Sequence, residues 1–241
     1  MMKTIAENSK IITIVQFIRY NLKVIFSNKF IYFLLSAIAI FLLITVVNLL
    51  DTESAFDTGS VYNLLLVPGV LLIFYPPTFG IQNDLDTRML ETVFGIPNYR
   101  YKVHLVRITL AVFISAAILI VLAFLSSLSL TPIPVFSMTF QLMFPLAFIC
   151  AFSFMFSTIV KNGNATAVIV ACFGLFFFFG ADPLEGSKWN LFHNPFSIPS
   201  NSSGYIWMEI TLYNRIYLVV GAIIFVLFGL IMLQKRERFV S

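Results

Sequence analysis

Long apolar runs, separated by short polar or charged segments, dominate the chain. Six of these runs approach the roughly 20 helical residues needed to cross the hydrocarbon core of a bilayer. The second run contains Pro68, Pro76 and Pro77. Because proline removes a backbone donor, we expect this helix to kink or break near its end. The pattern predicts an all-α integral membrane domain at residues 30–233, with six transmembrane helices at residues 30–50, 61–81, 108–128, 135–160, 165–181 and 216–233.

The segment before the first span has a helical pattern of its own between residues 10 and 28. Its polar side chains, including Gln16, Arg19 and Lys23, fall largely on one side and interrupt any apolar run, which disfavours a secretory signal peptide. The pattern instead predicts an amphipathic helix in the membrane interface, within a cytoplasmic N-terminal region at residues 1–29. The apolar stripe of this helix consists of Ile11, Ile14, Ile18, Leu22 and Ile25.

Composition agrees with a membrane protein. The 241-residue chain is 59% hydrophobic and 11% charged, whereas about a quarter of the residues in a soluble domain are charged. The basic residues lie beside the spans and form no dense patch, so no nucleic-acid partner is expected. Cys150 and Cys172 both fall inside apolar runs and are interpreted as small packed thiols.

The distribution of basic residues predicts the orientation. With the N-terminus inside, 13 of the 15 Lys and Arg residues are cytoplasmic, and only Lys188 and Arg215 are external. We therefore expect both termini, including a basic tail at residues 234–241, to lie in the cytoplasm. The expected location of the protein is the bacterial inner membrane. The external segment at residues 182–215 carries Trp189 and Trp207, so we expect it to be structured and to rest at the outer interface.

The most charged segment between spans is the loop at residues 82–107. Asn83 or Asp84 can cap a helix, and Gly95 followed by Pro97 can end it, which predicts a short helix at residues 84–94. One side of this helix is apolar and the other is polar. On residue types alone, a solvated connector that fixes orientation and a helix that docks onto a partner both remain open.

The order of residues in this loop resembles the loop after the second membrane helix in ABC-2 type transporter permeases. The matching positions are Asp84, Glu91, Pro97, Arg100 and Arg107, and the six spans extend the resemblance along the chain. The sequence departs from the family pattern at three positions, which leaves the subfamily open: Arg88, Met89 and Gly95.

The resemblance implies a permease subunit that pairs with a second permease subunit and with two copies of a cytoplasmic ATPase. ATP and Mg would then bind to the ATPase, and this chain would hold no cofactor. The family implies that the short helix couples the two kinds of subunit, and that short re-entrant helices precede the last span. The expected coupling residues are Asp84, Leu85, Asp86, Arg88, Met89, Glu91, Phe94, Pro97 and Arg100.

Some chemistry is missing from the sequence. No phosphate-binding loop of the Gly-x-x-x-x-Gly-Lys-Ser/Thr type is present. None of the six predicted spans contains Asp, Glu, His, Lys or Arg, the residues on which proton-coupled carriers and intramembrane hydrolases depend. We therefore expect no enzymatic activity in this chain, which membrane lipid would surround. We expect its substrate to be hydrophobic or amphipathic. A membrane anchor or assembly protein that transports nothing is the alternative.

Overall fold

The computed structural model describes residues 29–50, 57–86, 99–180, 183–184, 186–199 and 203–234, except for the side chains of residues 99–102 and 234. These residues form six helices and turns, and no strand occurs among them. Five of the helices are long and apolar enough to cross a bilayer, whereas α5, with 17 residues, is shorter. The helices are α1 (Phe30–Leu50), α2 (Thr58–Asp86), α3 (Tyr99–Ser129), α4 (Val135–Val160), α5 (Gly163–Phe179) and α6 (Gly204–Gln234).

Helices α2 and α4 form the centre of the bundle. Helix α2 packs against α1, α3, α4 and α5, and α4 packs against α2, α3, α5 and α6. In the most apolar part of each helix, 67% of the residues of α2 are buried, compared with 22% in α1 and 17% in α6. The outer helices thus expose apolar side chains on most of their circumference, as helices that face lipid do.

Successive helices run in opposite directions. Ile81 of α2, Phe154 of α4 and Leu233 of α6 form one buried cluster, so these three helices finish at the same end of the bundle. The beginning of α3 lies there as well, because Arg107 contacts Asp84. We call this the Asp84 end, and the opposite end, where α2, α4 and α6 begin, the Arg215 end.

Of the predicted kink or break in the second helix, the break does not occur. Helix α2 is one continuous helix through Pro68, Pro76 and Pro77. All three prolines are buried, and α2 packs against four other helices. Packing on several sides compensates for the lost backbone hydrogen bonds, as it commonly does in membrane helices.

Several helix boundaries differ from the prediction. The spans at 30–50 and 135–160 are confirmed, but α2 extends to Asp86, α3 begins at Tyr99 and α6 begins at Gly204. The predicted external segment at 182–215 is therefore helical over its last twelve residues, 204–215. Its residues 186–199, which we call the cap segment, form turns and contain no helix. The predicted interfacial helix at 10–28 and the tail at 235–241 lie outside the described residues.

Candidate functional site

A buried ion pair joins α2 to α3 at the Asp84 end. Nη1 of Arg107 donates to Oδ2 of Asp84 at 2.6 Å, and both side chains are almost fully buried. Nδ1 of His104, one turn before Arg107 on α3, lies 4.0 Å from the same carboxylate oxygen. A buried pair of opposite charges holds its two helices in one register, because either charge alone would be expensive to bury.

Two further hydrogen bonds fix the last turns of α2. The Ser157 hydroxyl of α4 donates to the Thr78 carbonyl at 3.1 Å. The backbone N–H of Gly163, the first residue of α5, donates to Oε1 of Gln82 at 2.5 Å. The end of α2 is therefore bonded to three helices, α3, α4 and α5, by polar contacts that depend on position.

A small cavity adjoins the ion pair. It has a volume of about 20 Å³ and is lined mainly by apolar groups, with Pro76, Pro77 and Gly80 on one side and His104 and Arg107 on the other. Nε and Nη2 of Arg107 are buried and have no hydrogen-bond partner within the described part of the chain. A cavity of this size has room for about one water molecule, so it is too small to serve as a substrate site.

The predicted coupling residues divide into two groups. Asp84, Leu85 and Asp86 form the last turn of α2 and not the first turn of a separate helix, so the predicted helix start at Asp84 is wrong. Arg100 lies in the first turn of α3. The other five residues lie outside the described residues: Arg88, Met89, Glu91, Phe94 and Pro97.

Burial gives the three residues of that last turn different roles. Asp84 faces the interior and bonds Arg107. Leu85 packs partly against the cluster of Ile81, Phe154 and Leu233. Asp86 is exposed, and among the described residues it accepts one long hydrogen bond, 3.5 Å, from Gln82. Of the two acids in this turn, Asp86 is therefore the one on the surface.

A second polar cluster surrounds Arg215, which is only 5% exposed, at the other end of the bundle. Its guanidinium donates to Oε1 of Gln141 at 2.9 Å, Oδ1 of Asn214 at 2.8 Å, the His193 carbonyl at 3.2 Å and the Tyr62 hydroxyl at 3.4 Å. All four acceptors are neutral. The cluster disperses one positive charge over dipoles from α2, α4, α6 and the cap segment, and so ties these elements together.

Hydrogen bonds from asparagine side chains hold the cap segment on the helix ends. Nδ2 of Asn214 donates to the carbonyls of Lys188 and Asn190 at 2.9 and 2.8 Å. Nδ2 of Asn194 donates to the carbonyl of Gly59, at the start of α2, at 2.9 Å. The cap segment is thus an ordered cover, as expected for residues 182–215, although without the re-entrant helices that the family resemblance implied in this stretch.

His193 is the histidine of the cap segment. Its Nε2 lies 2.8 Å from the Thr211 hydroxyl, which donates its own proton to the Trp207 carbonyl at 2.8 Å. Nε2 of His193 must therefore carry a proton and donate. Burial, reinforced by the positive charge of Arg215, lowers the pKa of His193 from 6.5 to about 4, so the ring is neutral at pH 7.

The predicted spans contain no Asp, Glu, His, Lys or Arg, but the helices extend beyond these spans and do contain such residues. Asp84, His104, Arg107 and Arg215 all lie within α2, α3 or α6 and are buried. They were missed because the apolar runs were ended at the first charge, whereas the helices continue one to three turns further. Tyr62 and Gln141, isolated polar residues in apolar runs, were the available signal for a partner of Arg215.

The helices and their exposed apolar faces define the class of protein: a multi-pass helical membrane protein. No protein-family model, curated protein or solved structure matches the chain. Within the described residues, no group of three or more His, Cys, Asp or Glu side chains is placed to hold a metal ion.

Proposed function

We propose that the chain is the membrane-spanning permease subunit of an ATP-driven ABC transporter of the ABC-2 type. A separate cytoplasmic ATPase, present in two copies, binds ATP and Mg and supplies the energy. A second permease subunit completes the membrane part. The order of Asp84, Glu91, Pro97, Arg100 and Arg107 and the six-helix bundle support this assignment.

The observation that carries the proposal is the attachment of the end of α2. Residues 87–98 follow α2 directly, and the last three turns of α2 are bonded to α3 through Arg107, to α4 through Ser157 and to α5 through Gly163. A force applied to residues 87–98 is therefore passed to four helices together. A solvated connector needs no such attachment, whereas a coupling element does.

The proposed mechanism is mechanical. ATP binding brings the two ATPase subunits together, and they displace residues 87–98 and the end of α2 with them. The exposed carboxylate of Asp86 and the acid at Glu91 contact the ATPase, while Asp84 and Arg107 keep α2 and α3 moving as one unit. None of these residues catalyses a reaction.

The proposed substrate is hydrophobic or amphipathic. In the described helices, Asp, Glu, His, Lys and Arg occur only toward the ends, at the Asp84 and Arg215 clusters and at positions beyond them. The long apolar middle of the bundle offers no charged group to a small ionic solute. The Asp84 end faces the cytoplasm in this proposal, because most basic residues lie on that side.

Co-purification with an ATPase tests the proposal. The chain is expressed with its chromosomal neighbours and isolated by an affinity tag. The wild type is compared with variants that carry Asp86→Lys, Glu91→Lys or both substitutions. Leu85 is a poor probe because its partial burial would mix binding with folding. The matched control is Glu209→Lys, which reverses an exposed acid on α6 at the opposite end.

We expect an ATPase in stoichiometric amount with the wild type and with Glu209→Lys, and a loss of at least tenfold with Asp86→Lys and Glu91→Lys together. ATP hydrolysis by the complex should respond to substrate. Isolation of the chain with structural partners but no ATPase would instead support the membrane anchor. Full ATPase retention in the double variant would show that the docking surface is elsewhere.

A further inference from the structure

An exposed patch of one lysine and three aromatic rings lies where the cap segment meets α6. The Trp189 ring stacks on the Tyr217 ring, with centroids 4.6 Å apart and an angle of 8° between the planes. Nζ of Lys188 lies 5.8 Å from the centre of the Tyr217 ring and 5.9 Å from that of Tyr213. Trp189 is 61% exposed and Tyr213 is 45% exposed. We call these four residues the aromatic patch.

The aromatic patch lies at one end of a part of α6 that is long enough to cross the hydrocarbon core of a membrane. Twenty residues separate Tyr213 from Leu233, which corresponds to about 30 Å of helix, the thickness of the hydrocarbon core. Below the patch, the same side of α6 continues with the exposed apolar side chains of Val220, Ile224 and Leu227. Because α6 packs mainly against α4, the bundle leaves this side uncovered.

The chemistry of the patch fits one kind of occupant. Tyrosine and tryptophan rings have an apolar body and a polar edge, and they concentrate at the level of lipid headgroups. Within the described part of the chain, no carboxylate lies within salt-bridge distance of Lys188, and its side chain is exposed. A phospholipid offers both a phosphate for the ammonium of Lys188 and acyl chains for the apolar helix face below it.

We infer that the aromatic patch binds the headgroup of a phospholipid in the leaflet at the Arg215 end. The phosphate lies by Nζ of Lys188, the glycerol region contacts Trp189 and Tyr217, and the acyl chains run along Val220 and Ile224. Binding there holds the cap segment at a fixed depth in the membrane, because Lys188 and Asn190 are bonded to α6 through Asn214. This inference does not depend on the proposed transport function.

The two tryptophans of the chain make the inference measurable. Trp207→Phe leaves Trp189 as the only tryptophan. This substitution loses no hydrogen bond to the described residues, because Nε1 of Trp207 has no partner among them. The full-length variant is reconstituted into vesicles that contain phosphatidylcholine or phosphatidylglycerol brominated at the 6,7 or the 11,12 positions of one acyl chain. If it does not purify, the fluorescence difference between the wild type and Trp189→Phe reports the same signal.

We expect bromine at the shallow 6,7 positions to quench Trp189 more strongly than bromine at the 11,12 positions. Phosphatidylglycerol should compete better than phosphatidylcholine by up to about fivefold, the factor expected from one lysine near an acidic lipid surface. Lys188→Gln should abolish this preference, and Lys188→Arg should retain it.

Three outcomes would overturn the inference. Quenching of Trp189 by aqueous iodide but not by brominated lipid would mean that the patch faces water. Protection from both quenchers would mean that a second copy or another protein covers it. Equal quenching by the two lipids in the wild type and in Lys188→Gln would mean that Lys188 binds no headgroup.

Discussion

Oδ2 of Asp84 and Nη1 of Arg107 lie 2.6 Å apart, although 23 positions separate the two residues in the sequence. The contact joins the end of α2 to α3, the two helices that residues 87–98 connect in the sequence. If the contact holds, α2 and α3 move as one rigid body at the two ends of the charged segment that connects them. Without the contact, the two helices could move independently.

The first prediction concerns this pair. Asp84→Asn keeps the size of the side chain but leaves the buried guanidinium of Arg107 without its counter-charge. We expect a loss of about 3 kcal/mol in the free energy of unfolding, the usual cost of breaking a buried pair from one side. Thermal or chemical unfolding in detergent measures this loss.

The double variant Asp84→Leu with Arg107→Met provides the control. Removing both charges leaves no unpaired ion, so its loss should be smaller than that of Asp84→Asn. Equal losses in the single and double variants would indicate that packing, and not charge pairing, joins the two helices.

The sequence predicted the six apolar helices and most of their length, because such helices follow from run length and hydrophobicity alone. It did not predict where α2 ends or where α6 begins. Helix α2 continues beyond Ile81 through Asp84, and α6 begins before Arg215, since both charged side chains find buried partners on other helices. Such partners are distant in sequence, so a local sequence pattern does not predict them.

For the candidate site, the sequence indicated the region but not the contact between Asp84 and Arg107. The charged composition of residues 82–107 drew attention to the region that contains Asp84 and Arg107. The capping signal at Asp84 was misleading, because an acid that can cap a helix can equally pair with an arginine in the next one. The sequence alone does not distinguish a capping role of Asp84 from pairing with Arg107, because the position of Arg107 on α3 is needed for that.

Two glycines of α5 provide a matched pair for the second prediction. A Cβ atom at Gly163 would lie 2.8 Å from Oε1 of Gln82 and 2.9 Å from Cε1 of Phe79, closer than real contacts allow. Gly163→Ala should therefore push α5 away from α2 and cost about 1–3 kcal/mol. At Gly174 the same atom would meet nothing within 4 Å.

Gly174→Ala should be neutral or stabilise the helix by up to about 1 kcal/mol, because alanine is the better helix former. Melting temperatures of the two variants in the same detergent make the comparison. A Gly163→Ala protein as stable as wild type would show that α5 is not held against α2 at this position.

The third prediction concerns the start of α2. Oδ1 of Asp57 accepts hydrogen bonds from the backbone N–H and the hydroxyl of Ser60, at 2.8 and 2.6 Å. These two bonds, the one from the hydroxyl being the stronger cause, lower the pKa of Asp57 below its usual 3.8. Asp57→Ala should cost about 1 kcal/mol, as the loss of an N-terminal cap usually does.

The sign of the pH dependence at Asp57 follows from the lowered pKa. The contribution of the cap is complete above pH 3.8, the unfolded value, and is lost as the pH falls through the folded value. Ser60→Ala, which keeps the backbone bond, should lose less stability than Asp57→Ala. The opposite order in unfolding measurements at pH 7 would contradict the assignment of Asp57 as the cap.

The fourth prediction concerns acid sensitivity at the Arg215 end. The pKa of His193 is about 4 in the folded protein and near 6.5 in an unfolded chain. Between these values the unfolded chain binds a proton that the folded protein does not, so stability should fall as the pH drops from 7 to 4 and level off below. The shift corresponds to about 3 kcal/mol.

His193→Gln isolates this effect, because the glutamine amide can still donate to the Thr211 hydroxyl but takes up no proton in this range. The difference in unfolding free energy between the wild type and the variant should therefore change with pH between 7 and 4, whereas the contributions of carboxylates cancel in that difference. Parallel pH profiles for the two proteins would mean that His193 is protonated without cost. In that case the Arg215 cluster would have to rearrange, because a second positive charge would lie beside a guanidinium that has only neutral acceptors.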